Sequence, residues 1–119
     1  MDTAERLEVA RVVVKRLGKH RALEAQTPQT PPIENPLGEG YTGVDLDGST
    51  YRARIGVCDA LSGIQRRITL GRSKNCDTAA YMYRIAHTAL YGSFSWAANS
   101  LSAEERDLVG WVRISVLNG

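Results

Sequence analysis

Phenylalanine occurs once in the 119 residues, and tryptophan, cysteine and histidine twice each. With so few large aromatics, Val, Ile, Leu, Ala and Tyr have to fill the core. Cys58 and Cys76 form no C-x-x-C, and His20 and His87 lie far from either. A zinc site takes about four convergent ligands, so no metal centre is expected, and nothing calls for a cofactor. The cysteines read as free thiols of a reducing compartment. No apolar run approaches the roughly 18 residues of a membrane span. The opening MDTAERLEVARVVVKRLG has acids up front and no apolar stretch ahead of a cleavage site. A cytoplasmic protein with no membrane association is expected. No Ser or Cys nucleophile pairs visibly with His87 and an orienting acid, and Asp59 and Asp77 lack a second carboxylate. A non-enzymatic protein is therefore expected.

Proline is confined to one stretch. All four prolines fall in QTPQTPPIENPLGEG, residues 26–40. Proline fixes φ and lacks an N–H, which excludes helix and central strand there, so the stretch reads as a semi-extended linker. The expected division is an N-terminal helical appendage at 1–25, a linker at 26–39, a compact domain at 40–99 and a C-terminal extension at 100–119.

What is present is a local excess of positive charge. The formal net charge is only +2. Between Tyr51 and His87, however, seven Lys or Arg face only Asp59 and Asp77, an excess of five. Asp45 and Asp47 precede that stretch, and Glu104, Glu105 and Asp107 follow it. A basic stripe of this kind is the electrostatic footprint of phosphate binding.

Residues 2–18 have apolar Leu7, Ala10, Val13, Val14 and Leu17 at helical spacing, Asp2 as a cap and Gly18 as a stop. From Tyr41 the period changes to two. Asp47-Gly48 signals a hairpin that sets Leu46 opposite Ser49, Val44 opposite Tyr51 and Gly43 opposite Arg52. Tyr51, Ala53, Ile55 and Val57 then share a face with Val44 and Leu46, while Arg52 and Arg54 take the other. After a loop containing Gly63, the apolar alternation continues through Ile64, Ile68 and Leu70. Arg66 lies on their side near an edge, and Gln65, Arg67 and Thr69 oppose them. NCDTAAYMYRIAHTALYG, residues 75–92, reads as the next helix, with Asp77 as N-cap, Gly92 as stop and a stripe of Ala79, Met82, Tyr83, Ala86 and Leu90. Arg72 and Lys74 fall in the loop before it. Ser102 and Glu105 form a capping box for a short helix ending near Val109, with Gly110 as breaker and WVRISV as a strand or arm. Trp96 and Trp111 are expected to pack this tail onto the domain. The fold class is α+β: a three-stranded antiparallel sheet packed on one helix, with an N-terminal helix and a short C-terminal helix or strand. One apolar sheet face needs one cover, which leaves the arginine face open.

The pieces YTGV, TYRARI, RRITLG and DTAAYMYRIAHTALYG, with Asn99 after them, occur in an order that resembles the AP2/ERF domain, in particular its versions in phage and mobile-element proteins. The likeness covers about residues 40–99. It implies an AP2-like sheet laid in the major groove of double-stranded DNA. Arg67 matches a DNA-contacting arginine of that family, Thr69 stands where plant members have tryptophan, and Arg54 where many have glutamate. Tyr83 matches the helical tyrosine. Asp45 occupies a strand-one position that is commonly arginine.

Arg52, Arg54, Gln65, Arg67, Thr69, Arg72 and Lys74 are therefore the candidate nucleic-acid-binding residues; the plainer reading of Arg52, Arg54 and Arg67 is an exposed sheet face partly paired with Asp45, which is diagonal to Arg52 across the hairpin. The alternative is a protein-binding module, such as an inhibitor of a host nucleoprotein machine, that meets a basic partner through Asp45, Asp47 or the terminal appendages.

Overall fold

The computed structural model describes residues 2–19, 41–58, 65–92 and 95–118. The proline segment, the start at Gly40, His20, and the loop with Asp59, Gly63 and Ile64 lie outside these residues. The chain is α+β: helix α1 (Thr3–Lys19), strands β1 (Val44–Asp47), β2 (Thr50–Cys58) and β3 (Gln65–Ser73), helix α2 (Cys76–Tyr91), a 3-10 turn (Trp96–Ser100) and helix α3 (Ala103–Asn118). The strands form one antiparallel sheet in the order β1-β2-β3.

Asp2 caps α1 as expected, its Oδ1 accepting the Glu5 N–H at 2.8 Å. The helix buries Val9, Ala10, Val13 and Leu17. Leu7, expected inside, is 37% exposed, and Val9 takes the core position instead. The cap of α2 differs from expectation. Asn75 is the N-cap, and its side chain accepts the Asp77 N–H at 2.8 Å. Asp77 lies within the first turn and accepts a bond from the Tyr41 hydroxyl at 2.8 Å. At the other end Gly92, with φ +55, donates its N–H to the Thr88 carbonyl, so the expected stop holds.

The apolar stripe expected on α2 widens into almost the whole helix. From Ala79 to Tyr91 every residue but Arg84 is buried. The sheet takes one side, and α1 and α3 also pack against the helix. Val9, Val13 and Leu17 of α1, Val109 and Val112 of α3, and Ala53, Ile55, Val57, Ile68 and Leu70 of the sheet belong to one core with α2.

The tail is a further correction. Its capping box forms: Ser102 Oγ accepts the Glu105 N–H at 3.2 Å and Glu105 Oε1 accepts the Ser102 N–H at 3.0 Å. The helix then runs straight through Gly110 to Asn118. A helical glycine costs only about 1 kcal/mol relative to alanine. Burial of Val109 and Val112, and the bond from Arg113 Nη1 to the Ala89 carbonyl at 2.7 Å, bind the second half to the core. Trp111 does not pack inward as expected. It is 43% exposed, beside the outward Ile114 and Leu117. The Trp96 side chain lies outside the described atoms.

Candidate nucleic-acid interface

The hairpin β1–β2 fixes which charges meet. Asp47 pairs with Thr50, Leu46 with Tyr51, Asp45 with Arg52 and Val44 with Ala53. The loop is thus Gly48-Ser49, one residue later than the expected Asp47-Gly48. Gly48 supplies φ +64 at the first loop position, the requirement of a type II′ turn. Faces are unchanged, because each expected partner moves by two residues. Partners are changed. Asp45, diagonal to Arg52 in the expected register, stands directly opposite it.

The pairing of β2 with β3 carries a second local feature. Arg54 pairs with Thr69 but Ala53 with Gly71, so Leu70 is an extra residue on β3. A bulge of this kind reverses the alternation beyond it. Arg67 and Thr69 point to the arginine face before the bulge, and Arg72 points there after it, opposite Arg52. Arg72 therefore belongs to β3 and not to the loop. Gly71 turns to the core side, where a Cβ would lie 3.0 Å from Met82 Sδ and 3.4 Å from Val12 Cγ1. Both α1 and α2 thus lie on the apolar side of the sheet.

Five charged side chains interlock on the opposite side. Asp45 Oδ1 accepts from Arg52 Nε at 3.2 Å, and its Oδ2 accepts from Arg52 Nη2 at 2.9 Å and from Arg54 Nη2 at 2.6 Å. Asp47 Oδ2 accepts from Arg72 Nε at 2.8 Å and lies 3.8 Å from Arg52 Nη1. The bond from Arg52, helped by the Arg54 charge, holds the Asp45 carboxyl below its ordinary range. The bond from Arg72 and the Arg52 charge do the same for Asp47. In return, Asp45 raises the Arg52 guanidinium above its ordinary value. Asp45, Asp47 and Arg52 therefore stay charged at neutral pH.

The other candidates are placed differently. Arg67 is exposed opposite the exposed Gly56, and no carboxylate pairs with it among the described residues. Thr69 is half-buried beside Arg54. Lys74 is exposed in the bend between β3 and α2. Gln65 pairs through its backbone with Cys58 at the far end of the sheet, and its side chain lies outside the described atoms. Arg66, opposite Val57, is exposed at the strand end, on the side expected for it. The structure therefore gathers Arg52, Arg54 and Arg72 into one cluster, keeps Arg67 and Thr69 on the same face, and leaves Lys74 at its margin. Asp45, the pairing partner the sequence offers, takes up Arg52 and Arg54, and Asp47 joins the face as a partner of Arg52 and Arg72. The sequence signal for this is the matched alternation of Asp45-x-Asp47 against Arg52-x-Arg54.

Among the described residues, no group of three His, Cys, Asp or Glu could hold a metal ion, and no helix is long and apolar enough to cross a membrane. No family profile, curated protein or solved structure matches the chain.

Proposed function

We propose that the protein is a non-enzymatic, AP2-like DNA-binding protein that lays the arginine face of its sheet in the major groove. The observation that carries this reading is the convergence of Arg52, Arg54, Arg67 and Arg72 on the side of the sheet away from α1 and α2. Four guanidiniums against Asp45 and Asp47 leave that face with a net charge of +2, counted as four minus two. Strands about 4.8 Å apart make the three-stranded face about 10 Å wide between outer strands, against a major groove about 12 Å wide. The strand–strand–strand–helix order agrees with the collinear motifs that resemble the AP2/ERF domain. A protein partner docking on Asp45 and Asp47 would have to displace Arg52, Arg54 and Arg72 from them, which favours DNA over the acidic-hairpin alternative.

Titration of labelled duplex DNA at about 50 mM and about 200 mM salt tests the reading. The expected result is binding that weakens steeply with salt. The Arg54→Ala, Arg67→Ala double variant should show a slope shallower by about 0.9 for each phosphate it no longer neutralises. A folded protein that binds no duplex at the lower salt would overturn it.

A further inference from the structure

A face built only to attract phosphate would carry arginines and no acids. This one carries Asp45 and Asp47 on its edge strand β1, each tied to two arginines. We propose that Asp45 and Asp47 are positioning residues that make the arginine face discriminate between duplex sequences instead of binding every polyanion alike. The role of the clamp rests on the DNA-binding reading above.

The donor inventory separates the arginines. Arg52 is bound to Asp45 through Nε and Nη2 and faces Asp47 through Nη1. Two of its five donor hydrogens are committed to Asp45 and a third is directed at Asp47, so it acts as a strut between the two acids. Arg72 gives Asp47 only its Nε. That bond tethers the guanidinium at the Asp47 side while the Nη1/Nη2 fork stays available. Arg54 gives Asp45 only an Nη2 hydrogen and keeps its Nε and Nη1 hydrogens. A fixed fork is what paired base-edge acceptors such as guanine O6 and N7 require. A freely swinging guanidinium meets phosphate equally well, but loses rotamer freedom when it docks on a base. Arg67, with no acid beside it among the described residues, and Lys74 are left to track the backbone.

Charge makes the second half of the case. Each carboxylate on the face repels phosphate and cancels one cation's worth of counterion release. The clamp therefore lowers affinity for arbitrary DNA while pre-orienting the donors that read sequence. Replacing an acid by its amide should move these two properties in opposite directions. A purely structural role would not do that, because loss of folding weakens all binding together.

The test is selection from a random-sequence duplex pool with the full chain, alongside salt titrations on the unselected pool. The unaltered protein is expected to enrich a shared sequence. Asp45→Asn is expected to enrich it about tenfold less, the equivalent of roughly one bidentate Arg–guanine pair. At the same time it should bind the unselected pool more tightly at low salt, with a slope steeper by about 0.9. Asp45→Glu should restore most of the enrichment. Asp47→Asn, at a more exposed position, gives the same readout if Asp45→Asn does not fold by thermal melting. Undiminished enrichment by the folded amide variants overturns the inference, as does weaker binding to the unselected pool. Binding without enrichment by the unaltered protein overturns the inference and leaves the DNA-binding reading standing. No binding to the pool at low salt overturns both.

Discussion

His87 is fully buried, 0% exposed, between the rings of Tyr83 and Tyr91, whose centroids lie 5.7 and 4.8 Å from its own. Its Nδ1 shares a hydrogen bond of 2.7 Å with Ser95 Oγ, which also accepts the Ala97 N–H. Burial pushes the imidazole down to about 4 from an ordinary 6.5, so the folded protein keeps it neutral. The unfolded chain takes up a proton there below about pH 6.5, and the folded one only near pH 4. Stability is therefore complete above pH 6.5 and falls as the pH drops from there to 4, by about 3 kcal/mol in all. Asp45 and Asp47 act in a lower window. Their folded values lie below the ordinary 3.8, so their contribution is lost only as the pH falls through that depressed range. Urea unfolding at pH 7 and pH 4.5 should show most of the His87 loss, and equal midpoints at the two pH values would contradict its neutral burial. In the sequence His87 reads as an ordinary helix-face residue, because nothing in its neighbours indicates that Ser95, which caps the 3-10 turn, closes on it between Tyr83 and Tyr91. The same holds for Gly43. Its φ of +80 and its approach to Tyr83 (a Cβ there would overlap the ring) become visible only when β1 and α2 are brought together.

At the scale of elements, local signals are legible where the chemistry is local and misleading where a neighbour decides. The Asp2 cap, the Ser102–Glu105 box and the Gly92 stop are set by side chains within a few residues of the backbone groups they satisfy, and all three form. The hairpin lies one residue from its expected place because both Asp47-Gly48 and Gly48-Ser49 are acceptable loops. Burial of Val44 opposite Ala53 is consistent with the register the chain adopts. The bulge at Leu70 is illegible in the sequence, since β3 alone shows uninterrupted alternation from Gln65 to Leu70, and the reversal appears only against β2. Helix α3 shows the opposite error, in which a local breaker is overridden by packing. Gly110 is exposed, with no neighbour within 4 Å of an added Cβ and no positive φ. Gly110→Ala should therefore stabilise the protein by up to about 1 kcal/mol, seen as a melting temperature higher by about 4 °C. A lower melting temperature would mean that the helix does not run through this position.

At the scale of the whole molecule, the sheet has one greasy side and the helices gather there. Two of them, α1 and α2, touch the sheet from that side, and α3 closes on α1 and α2. That the described helices lie away from the arginine face is thus a consequence of where the apolar residues fall, which the period-two pattern of β2 already contains. The pattern does not contain the extent of neutralisation. Only a folded register brings Asp45 and Asp47 against Arg52, Arg54 and Arg72, and leaves Arg67 as the arginine of that face without an acid among the described residues. Mapping amide chemical shifts of the full chain by NMR, as a short duplex DNA is added, asks directly which surface meets the nucleic acid. The expected result is perturbation concentrated on Asp45, Arg52, Arg54, Arg67, Thr69 and Arg72, with the outward residues Trp111, Ile114 and Leu117 of α3 unmoved. Shifts centred on α1 or α3, or none at any residue of the sheet, would contradict it.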